Sequence, residues 1–191
     1  EGVIWEAGQL ISMRYCAGVD EECQQTFNVV DVQLRPGTAL PDTGMERHVY
    51  TSSSCGICGT ASIEAVRKSS HFDVAEDGVR VPLDVVAALP ERLRESQALF
   101  EKTGGVHAAG LFTADGELLC LREDVGRHNA VDKVVGWALR AGMLPLRGTV
   151  LQVSGRASFE LVQKAQLAGI PVLAAVSAPS SLSVELARDA G

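Results

Sequence analysis

Two cysteines lie three apart in Thr51-Ser52-Ser53-Ser54-Cys55-Gly56-Ile57-Cys58-Gly59. Serine, threonine and glycine surround them, and none of these offers an apolar bed for a sulfur atom. The stretch that follows, Thr60 to Lys68, has the composition of a helix. A thiol just ahead of a helix N-terminus meets the positive end of the helix dipole, which lowers its pKa and raises the share of reactive thiolate. The expectation is a reactive dithiol carried on an arm, with Cys55 below the ordinary thiol range.

A lone Cys-x-x-Cys supports several chemistries. Half of a zinc site is one, but a structural zinc needs four ligands and there is no second Cys-x-x-Cys; Cys16 and Cys23 could complete the set only in an unusual geometry. No structural metal is therefore expected. A thiol–disulfide oxidoreductase is another, although the thioredoxin-like form sits in a βαβ context with an aromatic before the first cysteine. Two inert structural cysteines are a third. Sulfur handling by a persulfide-forming thiol is the fourth.

Three other stretches could hold an anion. They are Glu123-Asp124-Val125-Gly126-Arg127-His128-Asn129, Ser154-Gly155-Arg156-Ala157-Ser158 and Ser177-Ala178-Pro179-Ser180-Ser181. Each leads from an apolar strand pattern into a helical one. Free backbone N–H groups at a helix N-terminus, small residues and hydroxyls together suit phosphate. Arg127, His128 and Arg156 add positive charge. Serine and asparagine at any one such turn would serve equally as helix caps. Three turns carrying two arginines point to a phosphate-bearing ligand held by Gly126, Arg127, His128, Asn129, Ser154, Gly155, Arg156, Ser177 and Ser180.

The elements that must position these groups follow from periodicity. Val106 to Thr113 and Leu118 to Arg122 read as strands joined by a tight turn at Asp115-Gly116. Arg127 to Arg140 is a helix with Ala130, Val131, Val134, Val135, Ala138 and Leu139 on one stripe. Thr149 to Val153 is a strand, Ser158 to Ala168 a helix, Pro171 to Val176 an apolar strand of the kind buried on both faces, and a last helix runs from Pro179 and Ser180 to Ala190. Earlier, Pro82 to Leu89 reads as a short helix, and Pro90 opens a second that ends at Gly104-Gly105. This alternation predicts a three-layer α/β/α sandwich whose last strands are parallel. In open α/β sheets ligands sit beyond the carboxyl ends of the strands, where the three turns arrive.

Residues 1–50 form a β-rich N-terminal part with a long loop, and residues 51–191 the sandwich that carries the dithiol arm. Leu10 to Cys16 and Phe27 to Leu34 are its strands. Asp20-Glu21-Glu22 reads as a solvated turn and His48 as incidental. The opening at Glu1-Gly2 and the stop at Asp189-Ala190-Gly191 suggest that both parts continue beyond the chain.

A chain of 191 residues with 46% hydrophobic content can bury a substantial core. A net charge of −7 excludes non-specific nucleic-acid binding. No apolar run reaches the ~18 residues of a membrane span. Five cysteines, an odd count, without a signal-like stretch suggest a reducing cytoplasm.

Ser54-Cys-Gly-Ile-Cys-Gly59, Asp124-Val-Gly-Arg-His-Asn-Ala-Val-Asp-Lys133, Ser154-Gly-Arg-Ala-Ser-Phe-Glu160 and Ala175-Val-Ser-Ala-Pro-Ser-Ser-Leu182 together resemble the FdhD/NarQ family, from Glu1 to Gly191. The resemblance implies a sulfur carrier needed for formate dehydrogenase. It implies that Cys55 takes sulfur as a persulfide from a cysteine desulfurase, with Cys58 assisting, and that the sulfur passes to the molybdenum of a bis-guanine-dinucleotide cofactor bound transiently as client. It further implies a homodimer, and a sandwich similar to the cytidine deaminase fold. Deaminases carry His/Cys-x-Glu and Pro-Cys-x-x-Cys at the helices after the hairpin. Arg127-His128-Asn129 and Gly155-Arg156-Ala157-Ser158 stand there instead, so deaminase chemistry is excluded. Family members extend beyond both ends of this chain, so part of the cofactor pocket is expected outside it. A cytoplasmic dithiol–disulfide oxidoreductase is the alternative function.

Overall fold

The computed structural model describes residues 4–15, 18–19, 21–22, 24, 29–38 and 70–191. Cys55, Cys58, His48 and the helix expected over Thr60 to Lys68 lie outside them.

In the N-terminal part, β1 (Leu10–Tyr15) and β2 (Val30–Leu34) pair antiparallel, with Met13 opposite Val32 and Tyr15 opposite Val30. Arg14 meets Asp31 across the ladder at 3.2 Å, an exposed pair worth little on its own. Glu21 and Glu22 lie exposed in a turn, as expected. Trp5 stacks on His71 with ring centroids 4.4 Å apart.

Two turns closed by aspartate side chains follow. Asp73 and Asp77 each accept the backbone N–H two residues on, at 3.0 Å. The second Asp77 oxygen accepts the Gly148 N–H at 2.8 Å, which ties this connection to the sandwich.

The sandwich runs α1 (Leu83–Glu95), α2 (Ala98–Thr103), β3 (His107–Thr113), β4 (Leu118–Asp124), α3 (Arg127–Arg140), β5 (Thr149–Arg156), α4 (Phe159–Leu167), β6 (Val172–Ser177) and α5 (Ser181–Ala190). The four strands order as β4-β3-β5-β6. β3 is antiparallel to β4 and β5, and β5 is parallel to β6. β4, β5 and β6 therefore share one direction, and their carboxyl ends meet at one edge of the sheet.

Strand alternation assigns the faces. Ala109, Leu111, Leu151 and Val153 pack against α3 and α4, with Ala130, Val131, Val134, Ala138, Leu161 and Ala165 completing that layer. Ala108, Phe112 and Val150 point the other way, onto Leu89 and Leu93 of α1. The expected stripe of α3 is the one that faces the sheet, with Val135 and Leu139 half-buried at its margin. Cys120 is buried on β4, and burial pushes its thiol pKa up, with Arg122 pulling the other way.

Two expectations change. Pro90 does not open a new helix; it sits inside α1. A proline there removes one hydrogen bond to the preceding turn, but Leu89 and Leu93 flank it fully buried, and their packing holds the helix through it. The break comes instead at Ser96 and Gln97, where Glu123 starts a new helix. Both its carboxylate oxygens accept N–H groups of α2, from Leu99 and Phe100 at 2.8 Å each. β6 is half-buried rather than enclosed on both faces, and Val176 is exposed. It is the terminal strand of the sheet order, so among the described residues no strand shields its outer edge.

Candidate anion-binding site

The edge where β4, β5 and β6 end receives the N-termini of α3, α4 and α5. The turn from β4 to α3 is built on Asp124. One of its oxygens accepts the Gly126 N–H at 2.8 Å and the Asn129 amide at 3.0 Å. The other meets Lys133 at 2.6 Å. The Lys133 hydrogen bond, then the Gly126 N–H, lead the interactions that hold the Asp124 pKa at about 2, with burial opposing them. Asn129 is thus a brace for the turn, exposed and already engaged. Gly126 is the residue before α3, and among the described residues no side chain caps that helix end.

Arg127 is the first residue of α3. Its Nε is buried and, among the described residues, has no hydrogen-bond partner. Its Cδ comes within 3.6 Å of the place where a side chain on Gly155 would begin, and so does the His107 ring. Gly155 thus brings the first and second turns together. Ser154 accepts the Ala108 N–H at 2.9 Å and lies 3.4 Å from His107 Nδ1. Arg156 is exposed at the end of β5 and is the register partner of Ser177, which is exposed at the end of β6. Ser180 caps α5 by accepting the Ser183 N–H at 3.2 Å, while its own N–H donates to the Ala157 carbonyl at 3.1 Å. The second and third turns are therefore joined by backbone.

His128 is nearly enclosed, and its Nε2 lies 3.8 Å from a Glu160 oxygen. Burial is the first cause that lowers the His128 pKa, and the charge of Arg127 is the second; Glu160 and Asp132 oppose them. The ring is therefore held neutral. Burial by itself would raise the Glu160 pKa, but the nearby Ser158 hydroxyl, its own backbone N–H, His128 and Arg127 outweigh that and lower it.

The expected residues thus divide. Arg127, Gly155 and Ser154 converge, with Arg156 and Ser177 at the open rim. Asn129 is spent on bracing Asp124, and Ser180 on capping α5. His128 faces Glu160 between α3 and α4. His107 and Glu160 were not singled out in the sequence. Each is a lone residue whose partner stands 47 and 32 positions away, and no local spacing marks them.

A buried guanidinium nitrogen without a partner is costly. Here it sits beside Gly155 and at the start of α3, with Arg156 exposed at the rim, an arrangement that suits a multiply charged anion such as a diphosphate. Among the described residues no group of three His, Cys, Asp or Glu could hold a metal ion, and no helix is long and apolar enough to cross a membrane.

Comparison with known proteins agrees across the chain. The sulfur carrier protein FdhD of Streptomyces avermitilis is 59% identical over 192 residues, covering 100% of this chain and 68% of that protein. The sulfur carrier protein FdhD of Mycolicibacterium paratuberculosis is 57% identical over 191 residues, covering 100% of this chain and 70% of that one. A crystal structure from Desulfotalea psychrophila, described as a formate dehydrogenase accessory protein, superposes with a TM-score of 0.54 at 33% identity, over 60% of this chain and 51% of that one. The family model for FdhD/NarQ matches residues 1–191, and with relatives this similar the chain belongs to the FdhD/NarQ family.

Proposed function

We propose that this protein is a cytoplasmic sulfur carrier for formate dehydrogenase maturation. It takes sulfur from a cysteine desulfurase onto Cys55 as a persulfide and delivers it to a molybdenum bis-guanine-dinucleotide cofactor, which is its substrate and not a resident group. The names of its relatives support the carrier role. The observation that carries the nucleotide half is the buried, unpartnered Nε of Arg127 at the edge where three helix N-termini meet. A diphosphate there would meet Arg127, the uncapped N–H groups of α3 and the exposed Arg156. Hydrogen bonds to charged partners are worth about 1.5–3 kcal/mol, against about 0.3–1 kcal/mol for a helix end at an exposed site, so arginine carries most of the affinity.

The dithiol chemistry balances within the chain. Attack by the Cys58 thiolate on the inner sulfur of a Cys55 persulfide forms the Cys55–Cys58 disulfide and releases hydrosulfide. The two electrons that reduce the outer sulfur come from the dithiol, and a cellular dithiol reductant restores it. The protein works as a homodimer in this reading.

Intact-mass measurement after incubation with a desulfurase and cysteine tests the carrier role. One added sulfur is expected, lost on reduction and absent in Cys55→Ala. A protein that gains no sulfur but cycles an internal disulfide with thioredoxin is an oxidoreductase instead. Calorimetric titration tests the pocket. Arg127→Ala weakens guanosine diphosphate binding about tenfold, equivalent to about 1.4 kcal/mol, while Cys55→Ala leaves it intact. Equal loss in both variants would show that arm and pocket are not separate parts.

A further inference from the structure

Buried polar side-chain atoms without a hydrogen-bond partner gather at one place. Among the described residues they are Arg127 Nε, His128 Nε2 and Ser158 Oγ. The first two residues open α3, and the third immediately precedes α4. A folded chain leaves few such atoms, so their meeting at two adjoining helix starts marks a site left open for a ligand. An anion at Arg127 would supply the first atom with its partner. It would also change what the second atom can do.

The His128 ring lies between α3 and α4. Its side chain is 12% exposed and that of Glu160 19%, and Nε2 stands 3.8 Å from a Glu160 oxygen, beyond hydrogen-bond reach. The charged groups that act on the ring come from both helices: Arg127 and Asp132 from α3, Glu160 and Lys164 from α4. Lys164 and Asp132 pair with each other at 2.5 Å, so their charges largely cancel at the ring. That leaves Arg127 and Glu160, which act in opposite directions. Burial first and Arg127 second keep the ring neutral against the pull of Glu160. A diphosphate at Arg127 would offset the guanidinium charge and add negative charge of its own. Glu160 and the ligand then both favour the imidazolium, against burial.

We propose that His128 takes up a proton when a diphosphate binds at Arg127, and that the imidazolium then closes on Glu160. The proton comes from solvent, and no other bond forms or breaks. Both ring nitrogens of an imidazolium carry hydrogen, so Nε2 donates to the carboxylate whichever nitrogen held the hydrogen before. In a chain of net charge −7, the site thus gains a cation as the anion arrives. Linkage makes the effect reciprocal: the ligand draws the proton, and the proton tightens the ligand. The proposal rests on the nucleotide reading above and adds how the site adjusts its own charge.

Nuclear magnetic resonance of the histidine rings, in the full-length protein free and saturated with guanosine diphosphate, tests this directly. The His128 signal is assigned by its loss in His128→Gln. Its titration midpoint is expected below the ordinary histidine value of about 6.5 in the free protein and about one pH unit higher with ligand. By linkage, that rise corresponds to about tenfold tighter binding below both midpoints than above both. Guanosine diphosphate titrates in the same range, so affinity is read as the ratio of wild type to His128→Gln, in which the ligand's own proton cancels. Calorimetric titration near pH 6.5, in buffers of low and high ionisation heat, is expected to show more proton uptake by wild type than by His128→Gln. Glu160→Gln removes the acceptor's charge and is expected to lower the bound midpoint. A midpoint that the ligand leaves unchanged or lowers, or equal proton uptake by wild type and His128→Gln, overturns the proposal while the nucleotide reading stands. A bound midpoint that Glu160→Gln leaves in place overturns the pairing with Glu160. Failure of the folded wild type to bind guanosine diphosphate overturns the nucleotide reading and the proposal together. The ring measurement is made on the wild type, so it decides the matter even where His128→Gln binds no nucleotide.

Discussion

Replacing Asp124 with alanine removes the brace under α3. The carboxylate holds the Gly126 N–H at 2.8 Å, the Asn129 amide at 3.0 Å and Lys133 at 2.6 Å. Lys133 is half-exposed, so solvent screens that pair and it contributes at most about 1 kcal/mol. A helix-start contact of the Gly126 kind is worth about 1 kcal/mol, and the Asn129 bond adds a few tenths. The total is about 2 kcal/mol. The fall of the Asp124 pKa from 3.8 to about 2 has the direction these contacts require, and solvent screening at this open carboxylate keeps their contribution within that total. A lowered carboxyl pKa gives stability that is fully present above the unfolded value and lost as pH falls through the folded one. Asp124→Ala is therefore expected to lose about 2 kcal/mol at pH 7, and the gap to wild type closes between about pH 4 and pH 2. Urea titrations at a series of pH values, with both proteins, measure this. A loss below about 0.5 kcal/mol at pH 7, or a gap that does not narrow in acid, refutes the account.

His128 gives a second pH signature. Its pKa is lowered, so the unfolded chain binds a proton before the native one does, and stability falls as pH drops below about 6.5. Thermal unfolding from pH 7.5 to 5.5 is expected to show this decline, and His128→Gln flattens it; a variant with the wild-type slope would contradict it. Gly169 ends the α4 connection with φ +69°, and a Cβ there would stand 2.5 Å from the Pro145 Cβ. Both the left-handed backbone and the clash oppose Gly169→Ala, which is expected to cost more than about 1 kcal/mol in urea unfolding.

The regular half of the molecule was legible because its signals are local. The stripe of α3, the hairpin at Asp115-Gly116 and the strand–helix alternation all follow from spacings within one element. The three turns were legible for the same reason: each is a strand end, a run of small residues and a helix start. Their meeting at one edge follows from topology once β4, β5 and β6 run the same way. What stayed hidden depends on contacts between distant positions. Pro90 looked like a helix start because its ring suits one, and only the burial of Leu89 and Leu93 on the sheet decides otherwise. His107 acquires a role only through Ser154, and Glu160 through His128. Asp124 did leave a trace, since a carboxylate two residues before a glycine and five before an asparagine is a turn-and-cap pattern.

The pair Glu123-Asp124 ties two helices to the edge of the sheet. Successive side chains on a strand point to opposite faces, so these neighbours at the end of β4 serve opposite layers. Glu123 turns to α2 and fixes its start at Leu99 and Phe100. Asp124 turns to α3 and fixes the helix start that carries Arg127. Lys133 binds the Asp124 carboxylate at 2.6 Å and the Glu123 carbonyl at 3.0 Å, so it steadies both. The two carboxylates are thus drawn away from the candidate anion-binding edge into hydrogen bonds and an ion pair. That matters in a chain of net charge −7. Two unpaired acids at the mouth would repel a diphosphate. Engaged as they are, they help to leave the edge to Arg127, Arg156 and the helix N-termini.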